Sequence, residues 1–270
     1  MHFRWYEAPR EWPIDDPETW RAANPSLGAI VTEDYYRATL AVEPETAFRR
    51  YLLNQWVEPA SSWLRASEWD ALAVPGLRLR DREAVWVGWD ASTHRDSTAV
   101  VAVQWQDIGG VRRLAVQSRV WERPRDASGE LMADWRVPVS EVLAHIEELA
   151  RRHRVVAIAY DPRLITWVAD ELEAAGYPTI EWPQSDARMV PASMRLLELI
   201  REGILAHDGD PVLRRHILDA RARVVGDGFR LAKDSRRSPI DAAVALAMAV
   251  AVMAQTQGRE TPLTLYIPEA

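Results

Sequence analysis

Between Val85 and Trp121 the chain lays down three β-patterned runs with no helix between them, then alternates helix and strand. Few architectures accept that order. Val85–Asp90 is apolar on successive residues, which marks a strand covered on both faces and central in a sheet. Thr98–Gln106 follows, then the turn "DIGG", then Val111–Trp121, so an antiparallel meander of three strands is predicted. Apolar residues keep helical spacing over Val139–Arg152. "VVAIAY" (Val155–Tyr160) is a short apolar strand, and Pro162–Gly176 is a helix closed by its glycine. "PTIEW" predicts a strand, Ser185–Glu202 a helix, "GILAH" a strand and Pro211–Ala222 a helix. "ARVVGDGFRLAK" predicts a hairpin with "GDG" at its tip, and Pro239–Gln257 the last helix. That helix carries "AAVALAMAVAVMA" (Ala242–Ala254), too short to span a bilayer and apolar enough to be buried.

Three antiparallel strands followed by alternating helix and strand specify an α/β protein with a mixed sheet covered by helices. That is the layout of the ribonuclease H-like fold. Residues 1–80 differ. They are rich in Trp and Pro, with a short helix at Pro17–Ala23 between an Asp-Pro start and an Asn-Pro stop. "TEDYYRATLAV" and "PETAFRRYLLNQW" predict two more helices, and "SSWLRASEWDALA" an extended entry with a helical turn or two. No closed core is evident there. The expected organisation is a helical appendage over 1–80, a ribonuclease H-like domain over 81–257 and a peripheral tail over 258–270.

Composition removes several function classes. The chain has no cysteine, which excludes a disulfide scaffold and thiolate metal sites. No apolar run reaches about 18 residues, and the start "MHFRWYEAPREW" lacks the apolar centre of a signal peptide. A non-secreted protein with no membrane span is expected. The net charge of −7 argues against indiscriminate nucleic-acid binding but leaves room for a local basic groove. Basic residues are arginines apart from Lys233. They cluster at Arg112, Arg113, Arg119, Arg123 and Arg125, at Arg151, Arg152 and Arg154, and at Arg236 and Arg237; solvated surface is the simpler account of such runs.

Three acids fall at comparable places. Asp90 ends the first strand, Asp161 ends the next buried strand in "AYDPR", and Asp241 opens the final helix in "SPIDAAVALAMAV". Each has an ordinary explanation: a turn acid, a helix cap before proline, an acid favoured by a helix dipole. Their joint placement says more, because function in open sheets collects at the carboxyl ends of strands. If Asp90 and Asp161 end neighbouring parallel strands, their backbones lie about 4.8 Å apart. A third carboxylate from the first turn of a helix packed across that edge would close a cluster. Acids so placed need a proton or a cation. An all-oxygen donor set selects Mg²⁺ or Mn²⁺, and two ions about 3.5–4 Å apart suit phosphodiester hydrolysis. Asp96, across the hairpin mouth, is an auxiliary ligand or a supporting acid. Ser92, Thr93 and His94 are better explained as a plain turn than as phosphate contacts. Lys233, in "LAKDSRRSPID", could orient a phosphate, hold Asp241, or be a solvated hairpin lysine. With Arg95, Arg236 and Arg237 it forms the expected nucleic-acid-binding set.

"GWDASTHRDSTAVVAV", "YDPR", "HDGDPVLRRHILDARARV" and "SPIDAAVALAMA" resemble the successive motifs of the nuclease domain of the tailed-bacteriophage terminase large subunit. "WRAANPSLG … FRRYLLNQW … SSWL … W" resembles the segment that joins motor to nuclease in that family. The resemblance covers most of the chain. It implies that Asp90, Asp161 and Asp241 are metal-binding acids, with Asp96 beside them, and that the activity is metal-dependent endonucleolytic cutting of concatemeric viral DNA during packaging. It also implies double-stranded DNA, a small subunit, a portal and a motor domain as partners, and the cytoplasm of the bacterial host as the place of action. The family's phosphate-binding loop, G-x-x-x-x-G-K-[ST], is absent and cannot be built around Lys233. A nuclease-side fragment or a shortened gene product, unable to translocate DNA alone, is therefore expected.

Three rivals share features with this reading. Actin-like ATPases and sugar kinases share the sheet topology and the polar hairpin, but need a second lobe and a Gly-rich adenosine loop. Another ribonuclease H-like nuclease, such as a resolvase or transposase core, is a second rival; the N-terminal Trp-rich segment and "HDGDPVLRRH" favour the terminase reading over it. A catalytically silent docking module of a packaging machine would tolerate replacement of the acids.

Overall fold

The computed structural model describes residues 5–43, 45–55, 61–90, 97–124, 130–132, 134–233 and 239–256, and for 46, 61 and 164–169 the backbone alone. The elements run α1 (Pro17–Ala23), α2 (Glu33–Val42), α3 (Glu45–Tyr51), β1 (Ser61–Ser62), α4 (Ala66–Asp70), β2 (Ala84–Asp90), β3 (Thr98–Ile108), β4 (Val111–Trp121) and α5 (Val139–Arg152). Then come β5 (Arg154–Tyr160), α6 (Pro162–Ala174), β6 (Thr179–Glu181), α7 (Asp186–Arg201), β7 (Leu205–His207), α8 (Pro211–Asp219), β8 (Ala220–Val225), β9 (Gly228–Lys233) and α9 (Asp241–Thr256). Among the described residues no helix is long and apolar enough to cross a membrane.

The main sheet has the order β6-β5-β2-β3-β4-β7. β2, β3 and β4 form the predicted antiparallel meander. β5 pairs parallel to β2, β6 parallel to β5, and β7 parallel to β4. This mixed sheet flanked by helices is the ribonuclease H-like architecture expected from the order of elements. Parallel pairing brings the carboxyl ends of β2 and β5 to one edge, where the antiparallel β3 begins.

Strand periodicity sorts side chains between two cores. Val85, Val87 and Trp89 of β2 pack with Val142, Ile146 and Leu149 of α5 and Leu172 of α6. Trp86 of β2, Ala157 and Ala159 of β5, and Ala99, Val101 and Val103 of β3 pack on the opposite side with α7, α8 and α9. α9 is buried almost all round, from Asp241 to Val250 and again at Val252 and Met253. Its alanines let it come down onto the sheet backbone at Gly88. A Cβ on Gly88 would stand 1.9 Å from the Ala245 carbonyl oxygen and 2.8 Å from the Ala249 nitrogen. At the far end, Trp86 Nε1 donates to Thr256 Oγ1 at 2.7 Å and pins the helix terminus.

Two expectations need correction. The helix predicted to run to Ala222 ends at Asp219, because Ala220 and Ala222 turn inward as alternate residues of β8. β8 pairs with β9 and β1 in a separate three-stranded sheet, order β1-β8-β9. Nor is the N-terminal region without a core. Ala8, Ile14, Trp20, Ala23, Leu27, Tyr36, Phe48 and Leu53 form one of their own. Trp20 and Tyr36 lie 5.2 Å apart between ring centroids, and Tyr36 and Phe48 5.8 Å apart. These rings come from three short helices, so no single periodic run announces them. Trp63, Leu64, Trp69 and Leu72 pack into the main core instead. Asp70 forms a two-pronged pair with Arg214, and Trp69 stacks on His207 at 4.2 Å.

Candidate active site

The periodicity that sorts the cores also aims the acids. Asp90 follows Trp86 and Gly88 on the α9 side of β2, and Asp161 follows Ala157 and Ala159 of β5. Trp89 pairs with Tyr160, so Asp90 and Asp161 occupy the next positions of adjacent parallel strands. Ser97 precedes Ala99, Val101 and Val103 with the same parity. All three acids are buried, at 7, 3 and 4 % exposure for Asp90, Asp161 and Asp241.

Each carboxylate has its own seat. Asp90 Oδ1 accepts from Gln184 Nε2 at 2.8 Å. Its main-chain carbonyl accepts from Thr98 Oγ1 at 2.9 Å, and Thr98 Oγ1 in turn accepts from Trp89 Nε1, which closes the strand pair behind it. Asp241 opens α9. It accepts a hydrogen bond from Ser97 Oγ and lies 3.7 Å from Lys233 Nζ at the end of β9. The first turn of α9 is held from outside: the Ala242 N–H donates to Nδ1 of the buried His216. Nε2 therefore carries the ring proton and donates to Glu122 at 3.0 Å. His216 and Arg215 together hold the Glu122 carboxyl below its usual range against its partial burial. Asp161 caps α6, accepting from the Arg163 N–H at 3.1 Å, and pairs with the Arg163 guanidinium at 3.2 Å.

The structure thus gathers Asp90 and Asp241 with Lys233, Ser97 and Gln184, and sets Asp161 one strand over, engaged with its own helix. Among the described residues no three His, Cys, Asp or Glu side chains are drawn tightly enough to form a ready-made ion cage. Two buried carboxylates with a third nearby still fit Mg²⁺ or Mn²⁺. Mg²⁺ keeps several of its waters and is commonly held by one or two carboxylates together with substrate phosphate. Asp96, Arg95, Arg236 and Arg237, with Ser92, Thr93 and His94, lie outside the described residues. No local sequence pattern marks Gln184, Glu122 or His216 as part of the site. Ser97 could have been found by counting back in twos from Val103. Gln184 could not, since only the loop that crosses the strand ends puts it there.

A family model described as "Terminase large subunit, endonuclease domain" matches residues 1–109 and 124–257. The chain belongs to that family. As a terminase nuclease chain it is similar to the terminase large subunit of Enterobacteria phage HK97, 28% identical over 91% of this chain and 53% of that protein. It is also 26% identical to the gene 13 protein of Mycobacterium phage L5, over 90% of this chain and 46% of that protein. The crystal structure of the HK97 large terminase superposes with a TM-score of 0.60 at 25% identity, covering 92% of this chain and 56% of that one. The chain spans about half the length of the curated relatives it matches.

The site of this terminase nuclease chain is electrostatically stressed. Burial pushes the Asp90 carboxyl well above its ordinary range, and Asp241 and, more weakly, Asp161 push it further; Gln184 and Lys233 pull it back. A carboxyl raised on folding binds its proton more tightly in the folded state. Its contribution to stability is complete below the unfolded pKa of about 3.9 and is lost as pH rises toward the folded value. In metal-free protein the Asp90 contribution should accordingly fall as pH climbs above about 4, a slope opposite in sign to that of the lowered Glu122 carboxyl. Asp90→Asn should flatten that slope and raise the melting temperature at pH 7 by about 2–4 °C for each kcal/mol relieved. Melting curves in EDTA across this pH range check it; an unchanged slope in the variant would show that Asp90 carries no such stress.

Proposed function

We propose that this chain is a metal-dependent endonuclease that hydrolyses phosphodiester bonds of double-stranded viral DNA during genome packaging. The observation that carries the reading is the buried pairing of Asp90 with Asp241 at the carboxyl edge of the sheet, with Asp161 on the adjoining strand end and Lys233 beside it. Repelling carboxylates out of water are costly to maintain, and a site that meets a divalent cation explains them. Asp90, Asp161 and Asp241 would hold two Mg²⁺ or Mn²⁺ ions, with Asp96 as a further ligand. Such ions supply Lewis-acid stabilisation of phosphoryl oxygens and a water made acidic enough to attack at neutral pH.

The remaining roles belong to the protein. Ser97 fixes the Asp241 carboxylate, and Lys233 places a positive charge at the rim of the pair, where a backbone phosphate would arrive. Arg163 would leave Asp161 for that phosphate, an exchange its 68% exposed side chain permits. Contacts of this kind grip the backbone and read no bases, so low sequence preference and strong salt sensitivity follow. The small subunit, the portal and a motor domain would be the packaging partners, acting in the host cytoplasm.

The test is nicking of supercoiled plasmid by the purified chain. Cutting should appear with Mg²⁺ or Mn²⁺ and vanish when EDTA is in excess. Cutting that resists EDTA would remove the basis for the proposal.

A further inference from the structure

The seat of Asp90 depends on a residue that metal-ion chemistry does not itself require. Gln184 lies in the crossing from β6 to α7, after Trp182, whose N–H donates to the Tyr160 carbonyl and extends the β5–β6 pairing. Its side-chain amide donates to Asp90 Oδ1 at 2.8 Å. Its main-chain carbonyl is gripped from the other side by Arg230 Nη1 of β9 at 2.9 Å. The same Nη1 reaches Asp186 Oδ1 at 2.9 Å, and Arg223 of β8 closes on that oxygen as well. The Arg230 side chain is only 18% exposed. Gln184 is therefore held at its backbone by the β8–β9 hairpin while its side chain holds Asp90.

The residue type suits the place. An arginine or lysine would satisfy Asp90 equally well but would put a positive charge where a cation must bind. A glutamate would add another negative charge to an acidic site. An apolar side chain would leave a buried carboxylate oxygen without its donor. Glutamine supplies a neutral donor of the right reach.

We propose that Gln184 is the positioning residue for Asp90, keeping its carboxylate aimed for the cation without competing for the position, and that Arg230 holds Gln184 in place. The inference rests on reading Asp90 as a cation ligand. Partners that orient metal ligands typically change affinity by about 10–100-fold when removed.

The test is calorimetric titration of Mn²⁺ into the full chain, wild type beside Gln184→Ala, Gln184→Met and Arg230→Ala, with nicking followed over a range of Mn²⁺ concentrations. Gln184→Met keeps the volume and removes only the donor, so it serves if the alanine variant does not fold. Both Gln184 variants should bind Mn²⁺ at least about tenfold more weakly. Nicking should reach half its maximum at correspondingly higher Mn²⁺ and recover most of its rate at saturation. Arg230→Ala should shift affinity the same way by a smaller factor. A folded Gln184 variant with wild-type Mn²⁺ affinity overturns the inference. A wild type that binds no Mn²⁺ would instead overturn the cation reading of Asp90, so the two failures are distinct.

Discussion

Gly88→Ala is expected to destabilise this chain more than any other single-methyl change in the sheet. The new Cβ would overlap the Ala245 carbonyl at 1.9 Å, and the obstacle is main chain, which cannot swing aside as a side chain does. Overpacking a core costs roughly 1–3 kcal/mol, occasionally more, and a backbone clash belongs at or beyond the upper end. At about 2–4 °C per kcal/mol, the melting temperature should fall by about 6–12 °C. α9 can relieve the clash only by lifting from the sheet. Asp241 would then leave Ser97 and Lys233, so nicking should fall even well below the new melting temperature. A melting temperature within a degree or two of wild type would show that α9 is not seated as described.

The second large effect concerns the chemistry. Asp90→Asn and Asp241→Asn preserve shape and remove charge. If these carboxylates hold the ions, losing either forfeits several kcal/mol of transition-state stabilisation, and the nicking rate should fall by at least about 10³-fold. Neither variant should unfold, since each relieves like-charge repulsion within a buried pair. Activity lost with stability kept or raised is the pattern of a functional site. Variants that still cut at the wild-type rate would trace the activity to a contaminant or to another site.

Much of this arrangement is legible in the chain before any coordinates. The apolar run of β2, the turn between β3 and β4, and the helical spacing of α5 give element types and order, because burial on one or both faces imposes its own period. The positions of Asp90 and Asp161 at strand ends follow from that order alone. What the sequence hides is whatever depends on one loop or helix end meeting another. Gln184 reaches Asp90 across 94 positions. Glu122 reaches His216 across the same separation. No local pattern encodes either contact. The end of α8 was hidden differently: "HILDARAR" suits a helix well, and only pairing with β9 and β1 turns Ala220 and Ala222 into strand. The N-terminal aromatic cluster was obscured because its rings are spread over three helices, each too short to show a stripe.

The anchoring of α9 has a consequence for how the protein tolerates change. The helix is tied to Trp86 at one end, to Ser97 and His216 at the other, and rests on bare backbone between. The sheet is consequently lopsided in its freedom to mutate. Apolar swaps under α5, which carries none of the acids, would alter mainly how firmly the protein stands. The same swaps under α9 would also shift the relative placement of the acids, so a saturation library selected for cutting should be depleted of variants on that side far beyond what unfolding explains.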